Sequence, residues 1–233
     1  MKLYPVNLDI RDQLCLVVGG GVVAKRKVEA LLACGPRLVL ISPELCDGLA
    51  VIADKNQIEW QEREYQTGDL QGAKLVFAAT DNPVIQQKIK NEADKAGILV
   101  NVITDPESCS FQVPAMFRRG DLLLTVATCG ASPALAARIR KELETKYGEE
   151  YALLLNLMSA LRKQIVTLND DQAQHKLLFE NLLNSDILVL LKAGNWKQLQ
   201  GTLEKILPPE VQVAQLVNTL QTQENTSMET LPC

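Results

Sequence analysis

The chain has 233 residues, of which 47% are apolar and 22% charged, and its net charge is −4 with a pI of about 5.2. These values are typical of a globular protein with a sizeable core. Nucleic-acid-binding proteins are more often basic, and no run approaches the roughly 18 apolar residues of a membrane helix, so neither nucleic acid nor a membrane is an expected partner. The N-terminus, which opens with residues 1–5, has no extended apolar core followed by a small-residue cleavage site, so we do not expect a signal peptide. No two of the six cysteines form a CxxC pair. We therefore expect a reduced, cytoplasmic protein.

The opening of the chain predicts one βαβ unit. Leu14–Val18 is a wholly apolar run that stops at three glycines, which is typical of a strand buried on both faces of a parallel sheet. Apolar residues at helical spacing follow over 24–33, and Gly35 is a plausible helix stop. Residues 38–41 form a second apolar run. Strand, glycine turn, helix and strand in this order make one βαβ unit.

The alternation continues to residue 102. Further strands are predicted at 58–63, 75–79 and 98–102. Asp81 or Asn82 can cap the helix between the last two strands, with Pro83 in its first turn. Gly97 ends that helix. This pattern favours an α/β fold with a Rossmann-type, doubly wound parallel sheet, which we place at residues 1–114.

The pattern changes after the last predicted strand of the sheet. Residues 111–117 and 122–128 predict two strands joined by a tight turn at 118–121. Ser132 is a candidate helix cap and Pro133 a first-turn residue; the helix that follows has an apolar side of Leu135, Ala136, Ile139 and Leu143.

The last part of the chain, from about residue 151, has a helical pattern throughout. Asn169-Asp170 separates two helical stretches, and Pro208-Pro209 is the predicted start of the last helix. The residues from Glu224 onward are polar, which predicts a frayed tail.

The glycines after the first strand form a candidate phosphate-binding loop. Gly19-Gly20-Gly21-Val22-Val23-Ala24 fits G-x-G-x-x-G/A, in which the first glycine permits the turn, the second lets the backbone approach a pyrophosphate, and a small third residue packs the helix on the sheet. The N–H groups and dipole of the helix start favour phosphate. The position between a buried strand and an amphipathic helix predicts a dinucleotide site. A tight turn without ligand is the alternative, although three glycines carry an entropic cost that a turn alone would not need.

Two further loops are expected at the same edge of the sheet. The second strand ends at Ser42-Pro43-Glu44, where Glu44 is the candidate acid for the ribose hydroxyls; this acid favours NAD over NADP, although it lies two places later than the simple pattern. Thr80-Asp81-Asn82 follows the fourth strand. These three residues could contact the cofactor, and a plain helix cap explains them equally well.

Four segments resemble, in order, the signatures of one protein family. They are residues 17–27 with the glycine loop, 77–82, 101–106 with 110–111 and 114–115, and 128–136. Together they resemble the N-terminal region of siroheme synthases, a group that includes stand-alone precorrin-2 dehydrogenases, some also called sirohydrochlorin ferrochelatases. The resemblance covers residues 1 to about 150.

The resemblance implies an activity and an organisation. It implies NAD-dependent oxidation of precorrin-2 to sirohydrochlorin, a tetrapyrrole, on the way to siroheme, and in some members insertion of ferrous iron as a second activity. It also implies a homodimer that interlocks through a dimerisation region, here 115–150, followed by a small helical domain, here 151–233 with a flexible C-terminal tail.

A catalytic carboxylate is expected near the end of the fifth strand. Oxidation of the macrocycle gives a hydride to the nicotinamide and a proton to a base. Asp105 is the candidate base because it follows a strand at the ligand-binding edge. Family members often carry an Asp at the place of Thr104, which is here a candidate substrate contact. The alternative for Asp105 is the start of an Asp-Pro turn.

Cations are expected to bind the carboxylates of the tetrapyrrole. Arg118, Arg119 and Arg138 are the candidates, with Arg140 and Lys141 nearby in sequence, because arginine binds carboxylates through two parallel hydrogen bonds. For each arginine alone, a solvated surface position is the alternative. Thr128 lies where the family often has a serine and is a further candidate substrate contact, or a strand-end hydrogen-bonding residue.

No metal site is predicted, because the single histidine, His175, lies in the helical region without a cluster of ligands. Two other functions stay open. A non-catalytic NAD-binding sensor or scaffold would keep the glycine loop but lack the catalytic activity. Thr104, at a place where family members often carry an Asp, keeps this alternative open. A small Rossmann reductase with another substrate would not use residues 115–150 as a dimer interface.

Overall fold

The computed structural model describes residues 2–168 and 171–229, with side chains up to residue 223. The chain divides into two units, Met1–Val113 and Pro114–Cys233. No helix among the described residues combines the length and the apolar character that a membrane span needs.

Five parallel strands form the sheet of the first unit, in the spatial order β3-β2-β1-β4-β5. They are β1 Leu14–Val18, β2 Arg37–Ile41, β3 Glu59–Gln61, β4 Leu75–Ala78 and β5 Leu99–Val102. Val18 at the end of β1 pairs with Ile41 on β2 and Ala78 on β4, so the carboxyl ends share one edge. The Rossmann-type fold is thereby confirmed. Such sheets bind ligands at this edge, where the strand order reverses between β1 and β4.

Helices cover both faces of the sheet. They are α1 Val22–Leu32, α2 Asp47–Asp54 and α3 Pro83–Ala96, followed after β5 by a short 3-10 turn, Pro106–Ser108. Val17 on β1 packs in one apolar cluster with Ala24 and Val28 of α1. Its neighbour Leu16 packs in a second cluster with Ile89 of α3. A strand that is buried on both faces needs apolar residues at every position, which explains the unbroken run that predicted it.

Two local features of this unit differ from the sequence prediction. Helix α2 was not predicted, because it has only eight residues and contains Gly48, a weak helix former. The strand predicted at 58–63 is limited to Glu59–Gln61, since the chain turns at Arg63, whose N–H donates to the carbonyl of Gln61 (2.9 Å).

An antiparallel hairpin opens the second unit. Its strands are β6 Ala115–Arg119 and β7 Leu122–Val126, and Arg119 pairs with Leu122. The predicted hairpin is therefore present, but its first strand begins at Ala115 and not at residue 111. The predicted turn at 118–121 is also shorter, because both arginines belong to β6 and only Gly120 and Asp121 connect the strands. Gly120 has a φ of +53°, which a tight turn requires.

The described residues after the hairpin form six helices. They are α4 Pro133–Lys146, α5 Glu150–Leu168, α6 Gln172–Leu183, α7 Ile187–Lys192, α8 Trp196–Ile206 and α9 Val213–Glu229. Ser132 caps α4 as predicted, since its hydroxyl accepts from the N–H of Leu135. Of the predicted apolar side of α4, Ala136 is buried while Leu135 is 48% exposed. Residues of α5, α7 and α8 share one apolar core that includes Leu157, Leu191 and Leu199.

The end of the chain corrects two predictions. The last helix begins at Val213 and not at Pro208-Pro209; the carbonyl of Pro208 instead accepts from the N–H of Val211 in a turn. Helix α9 continues through Glu229, so the tail predicted from Glu224 is helical over its first residues. Residues 230–233 and the break predicted at Asn169-Asp170 lie outside the described residues.

Candidate functional site

The loop after β1 is built around Gly19, which leaves the strand with a φ of +117°. Its N–H donates to the carbonyl of Ile41 at 2.9 Å. A Cβ at this position would lie 2.5 Å from the carbonyl oxygen of Ala79. Both the backbone conformation and the contact with the end of β4 therefore require glycine.

Gly20 is required by a contact within the protein. A Cβ here would lie 1.8 Å from the carbonyl oxygen of Glu44 and 2.8 Å from Oγ of Ser42. The carbonyl of Gly20 also accepts from the N–H of Cys46 at 2.8 Å. In the motif G-x-G-x-x-G/A, Gly20 is the variable position between the two glycines, and the space beside it is filled by the loop after β2. The two loops at this edge thus fix each other.

Gly21 is the open member of the loop. It precedes α1 with extended backbone angles (φ −84°, ψ −176°), and a Cβ built on it meets nothing within 4 Å. Among the described residues, no side chain caps α1. Val22, the first residue of the helix, is 67% exposed. An uncapped helix start with open space before it is the arrangement that receives a phosphate group.

The residues after β2 have separate roles. Ser42 is buried (7% exposed), and its hydroxyl donates to the carbonyl of Glu44 at 2.7 Å. Its own carbonyl accepts from Nε1 of Trp60 at 3.0 Å. Ser42 therefore shapes the loop. Pro43 and Glu44 are exposed at the carboxyl edge, which leaves the Glu44 carboxylate accessible to a ligand.

The residues after β4 provide the cap of α3. Oδ1 of Asn82 accepts from the N–H groups of Val84 and Ile85, and the N–H of Asn82 donates to Oγ1 of Thr80 at 3.2 Å. The capping interpretation is therefore correct for Asn82. Asp81 does not take part in the cap and is exposed at the edge.

A buried glutamine joins the ends of β4 and β5. Gln86 of α3 is 6% exposed; its Nε2 donates to the carbonyl of Thr80 at 2.5 Å, and its Oε1 accepts from Oγ1 of Thr104 at 2.6 Å. Sequence reasoning did not select Gln86. The available signal was its position on the face of α3 that carries Ile89 and Ala93, where a polar side chain is unusual. Thr104 is thus held at the edge through its hydroxyl.

Asp105 forms the cap of the turn after β5. Its carboxylate accepts from the N–H groups of Glu107 (3.1 Å) and Ser108 (3.3 Å) and from the hydroxyl of Ser108. The hydrogen bond from the Ser108 side chain, followed by the backbone N–H bonds, lowers the pKa of Asp105. The side chain is exposed and ionised at neutral pH. The Asp-Pro turn expected as the alternative role is present.

The candidate substrate-binding residues of the second unit form local interactions there. Arg119 lies 3.1 Å from a carboxylate oxygen of Glu149, and Arg138 forms a helical ion pair with Glu142 at 3.0 Å. Arg118 is exposed on β6. Oγ1 of Thr128 accepts from the N–H of Ser132 at 3.2 Å in the turn before α4. Arg119 and Arg138 thus already have carboxylate partners.

The first unit brings most of its predicted site residues together, through contacts between the loops after β1, β2 and β4 and through Gln86 to Thr104. Across the described residues, no group of three or more His, Cys, Asp or Glu side chains is arranged as a metal site.

Comparison with known proteins shows the relatives of this chain. A model of an NAD(P)-binding family matches residues 6–115. A siroheme synthase of Photorhabdus laumondii is 32% identical over 89% of this chain and 44% of its own length. A siroheme synthase of Pseudomonas paraeruginosa is 35% identical over the same shares.

A solved structure shares the fold along most of the chain. It is that of SirC, described as a precorrin-2 dehydrogenase, with a TM-score of 0.71 and 26% identity over 85% of this chain and all of that one. This chain spans less than half the length of the curated relatives named above. The order of the four signatures agrees with this similarity to siroheme synthases and to SirC.

Proposed function

We propose that this chain is an NAD-dependent dehydrogenase that oxidises precorrin-2 to sirohydrochlorin in siroheme biosynthesis. The observation that carries the proposal is the open, uncapped start of α1 at Gly21, which lies at the same sheet edge as Thr104 and Asp105. Similarity to SirC along 85% of the chain supports the choice of substrate.

The residues present fit a nicotinamide dinucleotide. Gly19 and Gly20 hold the loop against its neighbours, while the space at Gly21 and the N–H groups at the start of α1 would receive the diphosphate. The exposed Glu44 would accept from the ribose hydroxyls. The cofactor, when bound, accepts a hydride from the macrocycle.

The preference for NAD over NADP rests on the charge of Glu44. An additional phosphate on the adenine ribose would lie close to this carboxylate and be repelled by it. Parallel titrations with NAD and NADP test the preference, and equal affinities would contradict it.

The proton released in the oxidation needs an acceptor. Asp105 stays our candidate because it is ionised and exposed at the edge that binds the ligands of this fold. Its three hydrogen bonds hold the carboxylate in one orientation. Thr104 donates its hydroxyl hydrogen to Gln86, which leaves the oxygen of Thr104 as an acceptor toward a substrate N–H.

Turnover of precorrin-2 tests the proposal. The purified protein, incubated with precorrin-2 and NAD, should produce the absorption spectrum of sirohydrochlorin together with NADH. Intact NAD binding without turnover would instead favour the sensor or scaffold. Turnover of another substrate in place of precorrin-2 would favour a different small Rossmann reductase.

Insertion of ferrous iron, a homodimer built from residues 115–150 and a cytoplasmic location stay predictions from the sequence. So do the roles of Arg118, Arg119, Arg138 and Thr128 in holding the tetrapyrrole. Sedimentation of the purified protein would test the dimer, and formation of siroheme from sirohydrochlorin and ferrous iron would test the second activity.

A further inference from the structure

A cavity of about 310 Å³ lies between α1 and the end of β5 in the first unit. Helix α1 contributes Val23, Arg26 and Lys27, and the strand side contributes Asn101 and Ile103. Val23 is in the first turn after the glycine loop, and Ile103 immediately precedes Thr104 in the sequence. The cavity is therefore bordered by both parts of the proposed active site.

The two cations of the cavity have no carboxylate partner among the described residues. Within the part of the chain that the structure describes, neither Arg26 nor Lys27 forms an ion pair, whereas Lys25 on the same helix is 3.5 Å from Glu29. The amide of Asn101 is fixed by donating to the carbonyl of Phe111 at 3.1 Å. Two unpaired cations beside a fixed amide form a surface that an anion would complement.

Lys27 is the less solvated of the two cations. It is half-buried, and its Nζ lies 5.2 Å from the centre of the Phe77 ring. Burial, with the neighbouring charge of Arg26, lowers the pKa of Lys27. Desolvating an ammonium group without an anion is unfavourable, so a bound carboxylate would be favoured here more than at an exposed lysine.

We propose that this cavity, defined by Arg26, Lys27 and Asn101, binds a carboxylate-bearing side chain of the tetrapyrrole. The inference rests on the proposed function and adds a substrate subsite that differs from the arginines of the second unit. The volume of this cavity, about 310 Å³, is at the lower end of the range of about 300–1,000 Å³ that is typical of ligand pockets. The cavity can therefore hold part of a macrocycle but not the whole ring. Anchoring at this point would hold the ring at the edge where Thr104 and Asp105 lie.

Binding of uroporphyrin, a stable tetrapyrrole with acidic side chains, provides the first test. Arg26→Gln and Lys27→Met each remove one cation, and methionine keeps an apolar stem beside Phe77. Lys88→Gln is the matched control, because Lys88 is an exposed cation on α3. The two cavity variants should raise the Kd for uroporphyrin about tenfold or more, which corresponds to loss of one hydrogen bond to a charged group. The control should stay within twofold of the unmodified chain.

Kinetics with precorrin-2 provide the second test. Loss of a binding contact made equally in the ground and transition states raises KM and leaves kcat unchanged, so we expect this split in both cavity variants, with an unchanged Kd for NAD. Variants that bind uroporphyrin as the Lys88→Gln control does would overturn the inference. A loss of NAD affinity alone would also overturn it, because the cavity would then bind the cofactor. A changed sedimentation coefficient with an unchanged uroporphyrin Kd would overturn it as well, because the cavity would then bind a carboxylate of another protein chain.

The two proposals fail in different ways. A chain that does not oxidise precorrin-2, but loses uroporphyrin binding in the cavity variants, contradicts the dehydrogenase and supports the cavity. A chain that oxidises precorrin-2 with the same KM in all variants supports the dehydrogenase and contradicts the cavity. Arg26 is exposed, so its variant provides a folded protein if Lys27→Met is unstable.

Discussion

Replacing Gly21 by aspartate should raise the stability of the free protein and abolish its binding of NAD. Gly21 already has the backbone angles of a helix cap, and its Cβ would enter open space, so the fold accepts the side chain. Aspartate is among the best capping residues and places a negative charge at the positive end of the helix. The cap and the charge together should add about 0.5–1 kcal/mol, which raises the Tm by about 1–4 °C.

The same carboxylate would occupy the site of the diphosphate. It accepts from the N–H groups that the phosphate needs and repels the phosphate charge. Two unit charges at about 4 Å interact by about 4 kcal/mol when the effective dielectric constant is near 20. A loss of about 3–4 kcal/mol weakens binding by roughly a hundred- to a thousandfold.

Thermal unfolding and NAD titration of three variants separate stability from binding. Gly21→Ala adds a methyl group without a charge, and we expect a nearly unchanged Tm and a smaller loss of affinity than in Gly21→Asp. Gly20→Ala places its Cβ 1.8 Å from the carbonyl oxygen of Glu44, so it should destabilise the loop in the absence of ligand. A Gly21→Asp variant whose Kd for NAD stays within threefold of the unmodified chain would refute the site.

Three further substitutions test the rest of the first unit. Asp105→Asn keeps an oxygen that can accept the hydrogen bonds of the turn, but the amide cannot take a proton. The kcat for precorrin-2 should therefore fall about a hundredfold while the Kd for NAD is unchanged. A normal kcat would show that another residue is the base. Gln86→Leu leaves the hydroxyl of Thr104 and the carbonyl at the end of β4 without their partner, and urea unfolding should show a loss of about 1–3 kcal/mol; an unchanged midpoint would show that water replaces the amide. Asp69 accepts two hydrogen bonds from Arg63, and these lower the pKa of Asp69 below its ordinary value of 3.8. The pair therefore stabilises the folded state fully above pH 3.8, and this stabilisation is lost as the pH falls through the pKa of Asp69 in the folded protein. Asp69→Asn should therefore cost about 1–2 kcal/mol at pH 7, and the difference from the unmodified chain should shrink below about pH 4; a difference that is constant with pH would show that the charge is not involved.

The arginines show why residue type alone is a weak guide to a substrate site. Arg119 and Arg138 were selected because arginine suits carboxylates, yet each faces a glutamate of its own unit. Arg26 belongs to a signature that the sequence analysis quoted only for the family resemblance. An ion pair depends on which side chains folding brings within about 4 Å, and sequence separation does not reveal this except along one helix.

The sequence by itself determined the parallel sheet, the glycine loop and the resemblance to siroheme synthases. A strand that is buried on both faces must be apolar throughout, and a helix that packs on a sheet needs apolar residues at helical spacing. The turn at Gly19 excludes residues with a side chain. Each of these features is visible in consecutive residues. Tertiary structure alone decided that Gly20 packs against the loop after β2, that Gln86 joins Thr80 to Thr104, and which of the described cations stay without a carboxylate. These properties come from contacts between segments distant in the chain, where the packing of one loop against another determines the free space and the available hydrogen-bonding groups.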